Sequence, residues 1–322
     1  MLGFIAITPW HWAGFILFVI FFLALDLGVF HRQAHVVKFK EALAWTTVWS
    51  VLSLLFAGAL VPLRGRHEAM DFITGYIIEL SLSMDNVFVI ALIFTYFRVP
   101  SQYQHRVLFW GILGALVMRG VMIAAGAALI QKFQWMLYIF GAFLVFTGVK
   151  MMFVTDEGVH PEKNPVIRLA RKFFSVTPDY HGQKFTVREA GKTILTPLAL
   201  VLLMVETTDL IFAVDSIPAI FAITTKPFIV FTSNVFAILG LRSLYFVLAG
   251  AIDYFRYLKV GLSVVLAFIG AKMLLQPHEQ PPKWFQVEIS TGVSLLVVAA
   301  IILTAILLSV TAAKREKKIN RH

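Results

Sequence analysis

Apolar stretches dominate this chain, and polar residues interrupt them at intervals that suit membrane crossing. Runs long enough to span about 30 Å of hydrocarbon fall near 12–30, 43–63, 72–97, 107–130, 133–153, 193–220, 227–250, 255–275 and 285–310. These predict an all-α membrane protein of about nine transmembrane helices. The whole chain, 1–322, reads as one transmembrane domain, with a long loop at 154–192 and a basic tail at 311–322. The first run follows an uncharged N-terminus and ends in a basic segment, so it is expected to be a retained helix rather than a cleaved signal.

Hydrophobic residues make up 59% of the 322, more than the 45–50% or so of soluble domains. Cysteine is absent, which excludes disulfides, thiolate metal sites and dithiol redox chemistry carried by the chain itself. The net charge of +10 could suggest nucleic acid, but its distribution points elsewhere. Of the 28 Lys and Arg, 20 lie in alternate loops beginning after the first span, and six lie in the others; Arg119 and Arg242 sit inside spans. The positive-inside rule then predicts an outside N-terminus, a cytoplasmic C-terminus and an odd number of spans. The basic surplus serves topology and anionic inner-leaflet headgroups, with no nucleic acid partner.

Within the long loop, 166–174 interleaves Ile167, Leu169, Ala170, Phe173 and Phe174 with Arg168, Arg171 and Lys172, a pattern that fits an interfacial amphipathic helix. The loop also carries Asp156, Glu157, His160, Glu162, Asp179 and His181, which suit a solvated charged loop better than a metal sensor.

The spans repeat. Laying 133–153 over 255–275 aligns Leu144 with Leu266, Phe146 with Phe268, Gly148 with Gly270, Lys150 with Lys272 and Met151 with Met273. Glu79 and Asp85-Asn86 correspond to Asp209 and Asp215-Ser216, and Arg119 corresponds to Arg242. Spans three to five therefore match spans six to eight. Three is odd, so the copies are expected to run oppositely through the membrane, an inverted repeat of the transporter kind.

Six acids fall within the predicted spans: Asp26, Glu79, Asp85, Glu206, Asp209 and Asp215. Each central charge costs about 2.5–3.5 kcal/mol to insert, so these groups are expected to face a protein interior or a wet cavity. Arg119 and Arg242 can pair with some of them, but two arginines cannot neutralise six carboxylates, and a surplus of this sign suits a cation, protons, or both in exchange. Asp26 is close enough to the cytoplasmic end to reach headgroups.

Glu79 and Asp85 are six residues apart, about 9 Å of rise and 240° of rotation on a regular helix, as are Asp209 and Asp215. Such pairs serve successive stations, or the helix is interrupted. Pro218, which would free the carbonyl of Val214, favours interruption in the second copy. Glu206 and Asp209 share a face. Oxygen donors dominate, with Asn86, Asn234, Ser81, Ser83 and Ser216 beside the carboxylates, so Mg2+, Ca2+ or Mn2+ is favoured. Met84 would tilt the choice toward Mn2+ as a ligand, although a methionine in a span is more often packing.

At 79–89 (E-L-S-L-S-M-D-N-V-F-V), 205–221 (V-E-T-T-D-L-I-F-A-V-D-S-I-P-A-I-F), 231–246 (F-T-S-N-V-F-A-I-L-G-L-R-S-L-Y-F) and 146–152 (F-T-G-V-K-M-M) the chain resembles the TerC family, and within it the Alx-type bacterial members. The resemblance covers nearly the whole chain. It implies a nine-span protein of the bacterial inner membrane, and Mn2+ export with a link to alkaline pH. It carries Glu79, Asp85, Asn86, Asp209, Asp215 and Asn234 as site residues. The family is named for tellurium resistance, some relatives carry a redox-modulator label, and plant relatives are connected with thylakoid membrane assembly. The expectation is a secondary Mn2+ exporter, in possible exchange for protons, that needs no resident cofactor and is not an enzyme. Asp85 and Asp215 would be the main ligands, Glu79 and Asp209 flanking ligands or proton carriers, and Glu206, Asn86 and Asn234 would add oxygens. No G-x-x-x-x-G-K-[ST] loop occurs, which argues against ATP drive by this chain. The alternative is a membrane-assembly or stress-response protein, with membrane-protein partners, in which the charges set helix packing. An intramembrane aspartyl protease fits poorly, because no G-x-G-D motif is present.

Overall fold

The computed structural model describes residues 7–25, 39–153, 162, 164–189, 191–248, 257–277, 284 and 286–319. Asp26 and residues 154–160 lie outside these. Ten helices and one hairpin follow in order: α1 (Pro9–Leu25), α2 (Phe39–Arg64), α3 (Arg66–Tyr96), α4 (Ser101–Lys132), α5 (Met136–Phe153), α6 (Pro165–Phe173), β1 (Thr186–Glu189), β2 (Lys192–Leu195), α7 (Pro197–Phe221), α8 (Pro227–Leu248), α9 (Leu258–Leu275) and α10 (Thr291–Ile319). Eight of them are long and apolar enough to cross a membrane: α2 to α5 and α7 to α10. The described part of α1 is apolar but has 17 residues, about 26 Å of helix.

The protein is a multi-pass, all-α membrane protein built around α8. From Phe228 to Tyr245 nearly all of α8 is buried, against α2, α3 and α4. Helix α7 packs on α3 and α4 beside it, and α5, α9 and α10 form a flank. Outward faces of α1, α2, α4, α5 and α10 keep large apolar side chains exposed, such as Leu17, Leu54, Val121, Phe146 and Leu303, as expected where lipid replaces water as solvent.

One expectation is corrected here. Helix α7 runs unbroken through Pro218 to Phe221, and α3 is continuous from Arg66 to Tyr96, so neither copy is interrupted. Pro218 sits one turn from the C-terminus, where losing a single N–H bond is tolerated by the packing around it. Glu79 and Asp85 therefore point in different directions, and so do Asp209 and Asp215.

Helices α5 and α9 make the closest backbone approach. A Cβ added at Gly148 would lie 2.7 Å from Ser263 O and 2.7 Å from Ala267 N. A Cβ at Gly270 would lie 2.7 Å from Gly141 O and 2.7 Å from Val145 N. Under the offset that superposes 133–153 on 255–275, these two neighbourhoods interchange residue for residue. Partner numbers fall along α9 as they rise along α5, so the helices cross antiparallel. A local two-fold axis passes through the crossing, and only glycine lets the backbones meet there.

The long loop is partly structured. Asn164 caps α6, its Oδ1 accepting from Val166 N at 2.9 Å and Ile167 N at 3.2 Å. Ile167 is buried toward the core around α7, while Leu169 and Phe173 are exposed. The antiparallel hairpin β1–β2 was not expected from the sequence; at four residues a strand, it is too short for alternation to show.

A Gly270→Val substitution is expected to destabilise the protein by at least about 1–3 kcal/mol through overpacking, read as a lower denaturation midpoint in detergent. Gly58→Val, where nothing lies within 4 Å of the added Cβ, is expected to leave the midpoint unchanged.

Candidate cation site

Arg119 on α4 is the hub of the buried polar core. Its Nε donates to Asp209 Oδ2 at 3.1 Å and its Nη2 to Asp209 Oδ1 at 2.9 Å, a two-pronged pair. Nη1 donates to Glu79 Oε1 and to Ser216 Oγ at 3.2 Å, and approaches Asn234 Oδ1 at 3.5 Å. Asn86 Nδ2 donates to Asp209 Oδ1 at 2.7 Å. Four side chains from α3, α7 and α8 thus converge on one guanidinium of α4. Glu79, Arg119, Asp209, Asn86 and Asn234 are all at most 4% exposed.

Two carboxyl groups, Glu79 and Asp209, share the single guanidinium of Arg119. Several polar atoms beside the pair have no protein partner: Glu79 Oε2, Ser83 Oγ, Asn86 Oδ1 and Asn234 Nδ2. Glu79, Ser83 and Asn86 recur at i, i+4 and i+7, so they form one stripe on α3. Buried polar atoms are ordinarily hydrogen-bonded, and a concentration of such exceptions marks a place that accommodates another species.

Glu206 faces α4 one turn before Asp209. Its carboxylate rests on Gly114, where any added methyl would overlap both oxygens, and its Oε2 is also unpartnered. Arg242 is buried on α8 and, with Asn86, Asp209, Gly111 and Ala115, lines a small cavity of about 20 Å³, room for roughly one water.

Asp85 and Asp215 stand apart from this hub. Both are half-buried. Asp215 is turned to α5, with a hydrogen bond to Thr147 and Lys150 nearby. Among the described residues no three His, Cys, Asp or Glu side chains gather closely enough to hold a metal ion. The expected ligand set of Asp85, Asp215, Glu79 and Asp209 is therefore not assembled as one chelate. Continuous helices rotate the members of each pair apart, and Arg119 fills the space between Glu79 and Asp209.

A second ionic group was missed in the sequence because the third span was drawn from residue 72. Helix α3 begins at Arg66, which brings Glu68 and Asp71 into it. Glu68 accepts from Arg64 Nε and Nη2 at 2.8 Å each and from Lys226 Nζ at 2.7 Å. Asp71 is 1% exposed; it accepts from Thr291 Oγ1 at 3.0 Å, lies 3.2 Å from His67 Nδ1 and has buried Lys272 nearby. The i, i+3 spacing of Glu68 and Asp71 just ahead of an apolar run was the available signal. The opposite end is tied by neutral acceptors: Tyr180 Oη donates to Phe97 O at 2.8 Å, Tyr245 Oη to Gln104 Oε1 at 3.2 Å, and Arg106 Nη1 to Gln183 Oε1 at 3.2 Å.

Comparisons with known proteins agree with this architecture. A family model described as "Integral membrane protein TerC family" matches residues 64–317. The chain is 53% identical over 285 residues to "Uncharacterized membrane protein STKORF319" of Myxococcus xanthus, covering 88% of this chain and 89% of the relative. It is 50% identical over 295 residues to Alx of Escherichia coli (strain K12), covering 89% and 91%. It is 46% identical over 321 residues to Alx of Salmonella typhi, covering 97% and 98%. The names of both Alx proteins label them membrane-bound redox modulators. No solved structure matches the chain. With the family model spanning most of its length and relatives this similar along nearly all of it, the chain belongs to the TerC family of integral membrane proteins.

Proposed function

We propose that this protein is a secondary transporter that exports a divalent cation, Mn2+, across the bacterial inner membrane, in exchange for protons. The observation that carries this is the oxygen-rich core: carboxyl groups from α3 and α7, one arginine between them, and a stripe of unpartnered oxygens alongside. A fully paired set of charges would suffice to hold helices together; a surplus of buried oxygens is a cost that cation binding offsets. The donor set is oxygen throughout, which favours hard or borderline divalent ions over zinc or copper.

On this reading the ion meets Glu79 and Asp209 at the centre, with Asn86, Asn234 and Ser83 supplying neutral oxygens. Asp85, Asp215 and Glu206 act as flanking stations or proton carriers, and Arg242 borders the cavity at Asp209. The antiparallel exchange at the α5–α9 crossing supports an inverted relation between α3–α5 and α7–α9, the architecture in which alternating access proceeds by rocking one unit on the other. The end tied by Glu68, Asp71 and Lys226 faces outside, and the α6 end, with Arg168, Arg171 and Lys172, faces anionic lipid at the cytoplasmic surface. A redox-modulator role, which the relatives' names suggest, would need a redox group from elsewhere, because the chain has no cysteine.

Protein in liposomes is expected to move Mn2+ in the direction opposite to the proton flow that an imposed pH gradient drives. Glu79→Gln and Asp209→Asn are each expected to lower that flux by at least tenfold; wild-type flux in both variants, or none in the native protein, would reject transport through this site. Asp209→Asn also leaves Arg119 short of its bidentate partner, at a cost of about 3–5 kcal/mol, so flux is to be scored per folded molecule by size-exclusion chromatography.

The absence of native cysteine allows orientation to be read directly. In intact cells an impermeant maleimide is expected to label Glu288→Cys, beside the start of α10, and to label His181→Cys only after the membrane is opened. The reverse pattern would invert the topology.

A further inference from the structure

We propose that Arg119 is a tethered cation that occupies the ion site itself, and that a divalent ion binds only when this guanidinium withdraws. The inference rests on the transport reading above and concerns what the resident charge does there.

Arg119 is held by an all-oxygen cage: Glu79 Oε1, both oxygens of Asp209, Ser216 Oγ and Asn234 Oδ1. These are the donors that a hard divalent cation selects. The oxygens needed to complete such a shell adjoin the cage without partners: Glu79 Oε2, Ser83 Oγ and Asn86 Oδ1, on side chains no more than 2% exposed. A guanidinium is planar and satisfies oxygens lying near its plane, so the out-of-plane donors of a roughly spherical ion's shell are left over.

Charge sets the order of events. With Arg119 seated, the two carboxylates and the guanidinium sum to one negative charge, and a divalent ion added to them would leave one positive charge beside another cation in a dry interior. With Arg119 withdrawn, two carboxylates match a divalent ion. The two occupants therefore exclude each other, and the arginine's return supplies the charge that expels the ion. A cavity of about 20 Å³ lined by Gly111 and Ala115 of α4 adjoins Asp209, the residue that Arg119 grips with two bonds, so there is unfilled space beside the pair.

The test is Mn2+ binding to full-length protein in nanodiscs, read by the loss of the free-ion electron paramagnetic resonance signal, together with flux in liposomes. Arg119→Ala is expected to bind Mn2+ at least tenfold more tightly than the native protein while its turnover falls at least tenfold. Millimolar guanidinium chloride is expected to displace Mn2+ from Arg119→Ala and not from the native protein. Arg119→Lys keeps the charge but cannot bridge both carboxylates, and is expected to bind with intermediate affinity. Folded Arg119→Ala with native or weaker affinity, or with binding insensitive to guanidinium, would overturn the proposal and identify Arg119 as a fixed pin. If Arg119→Ala does not fold, Arg119→Lys decides: affinity no tighter than native overturns it. Native flux without any affinity gain in the variants rejects only the role of Arg119, whereas absence of both binding and flux in native protein and variants rejects the transport reading.

Discussion

A buried carboxyl group inside a membrane protein needs a partner close to it, and at the centre of this bundle Arg119 serves two of them. Arg119 holds Asp209 with two bonds and Glu79 with a third, and through them it fixes the mutual positions of α3, α4 and α7. Asn234 brings α8 into the same group. The most buried helix and the most charged residues thus share one anchor. A single guanidinium thus serves two acids, and Glu79 Oε2 is left without a protein partner beside it.

On the flank, the α5–α9 crossing has backbone against backbone at Gly141, Gly148 and Gly270, with little side chain between. Contacts of this kind depend on shape, since lipid gives helices no hydrophobic reason to associate. The two antiparallel helices meet through equivalent glycines, so one small-residue surface serves both sides of the seam.

Much of this was legible in the sequence because membrane solvation imposes a strong code. Length and apolarity locate the long apolar helices, and the aligned Gly-x-Lys-Met endings mark α5 and α9, which the structure packs glycine against glycine. The charge count places Glu79, Asp209 and Arg119 inside spans, and all three are buried. It could not say that one arginine would take both carboxylates, because that depends on which faces of α3 and α7 meet α4. Asp85 and Asp215 are the main ligands on the sequence alone, yet rotation along an unbroken helix turns them away from the Arg119 group. Pro218 was read as a break, yet a proline in the last turn forfeits only one bond. Glu68 and Asp71 precede the apolar run that defines the third span, and the helix reaches back to include them because Arg64, Lys226 and Thr291 supply partners for their buried carboxyl groups.

The two ends of the bundle are fastened by different chemistry, and this makes them unequal before any substrate arrives. At one end Glu68 is held by Arg64 and by Lys226, whose side chain is half exposed; such bonds weaken as dissolved electrolyte screens them. At the other, the Tyr180 and Tyr245 phenols donate to a backbone carbonyl and an amide oxygen, bonds without formal charge that dissolved ions scarcely affect. Added salt therefore acts first on the half-exposed Lys226 contact, and the two tyrosine ties hold while it loosens.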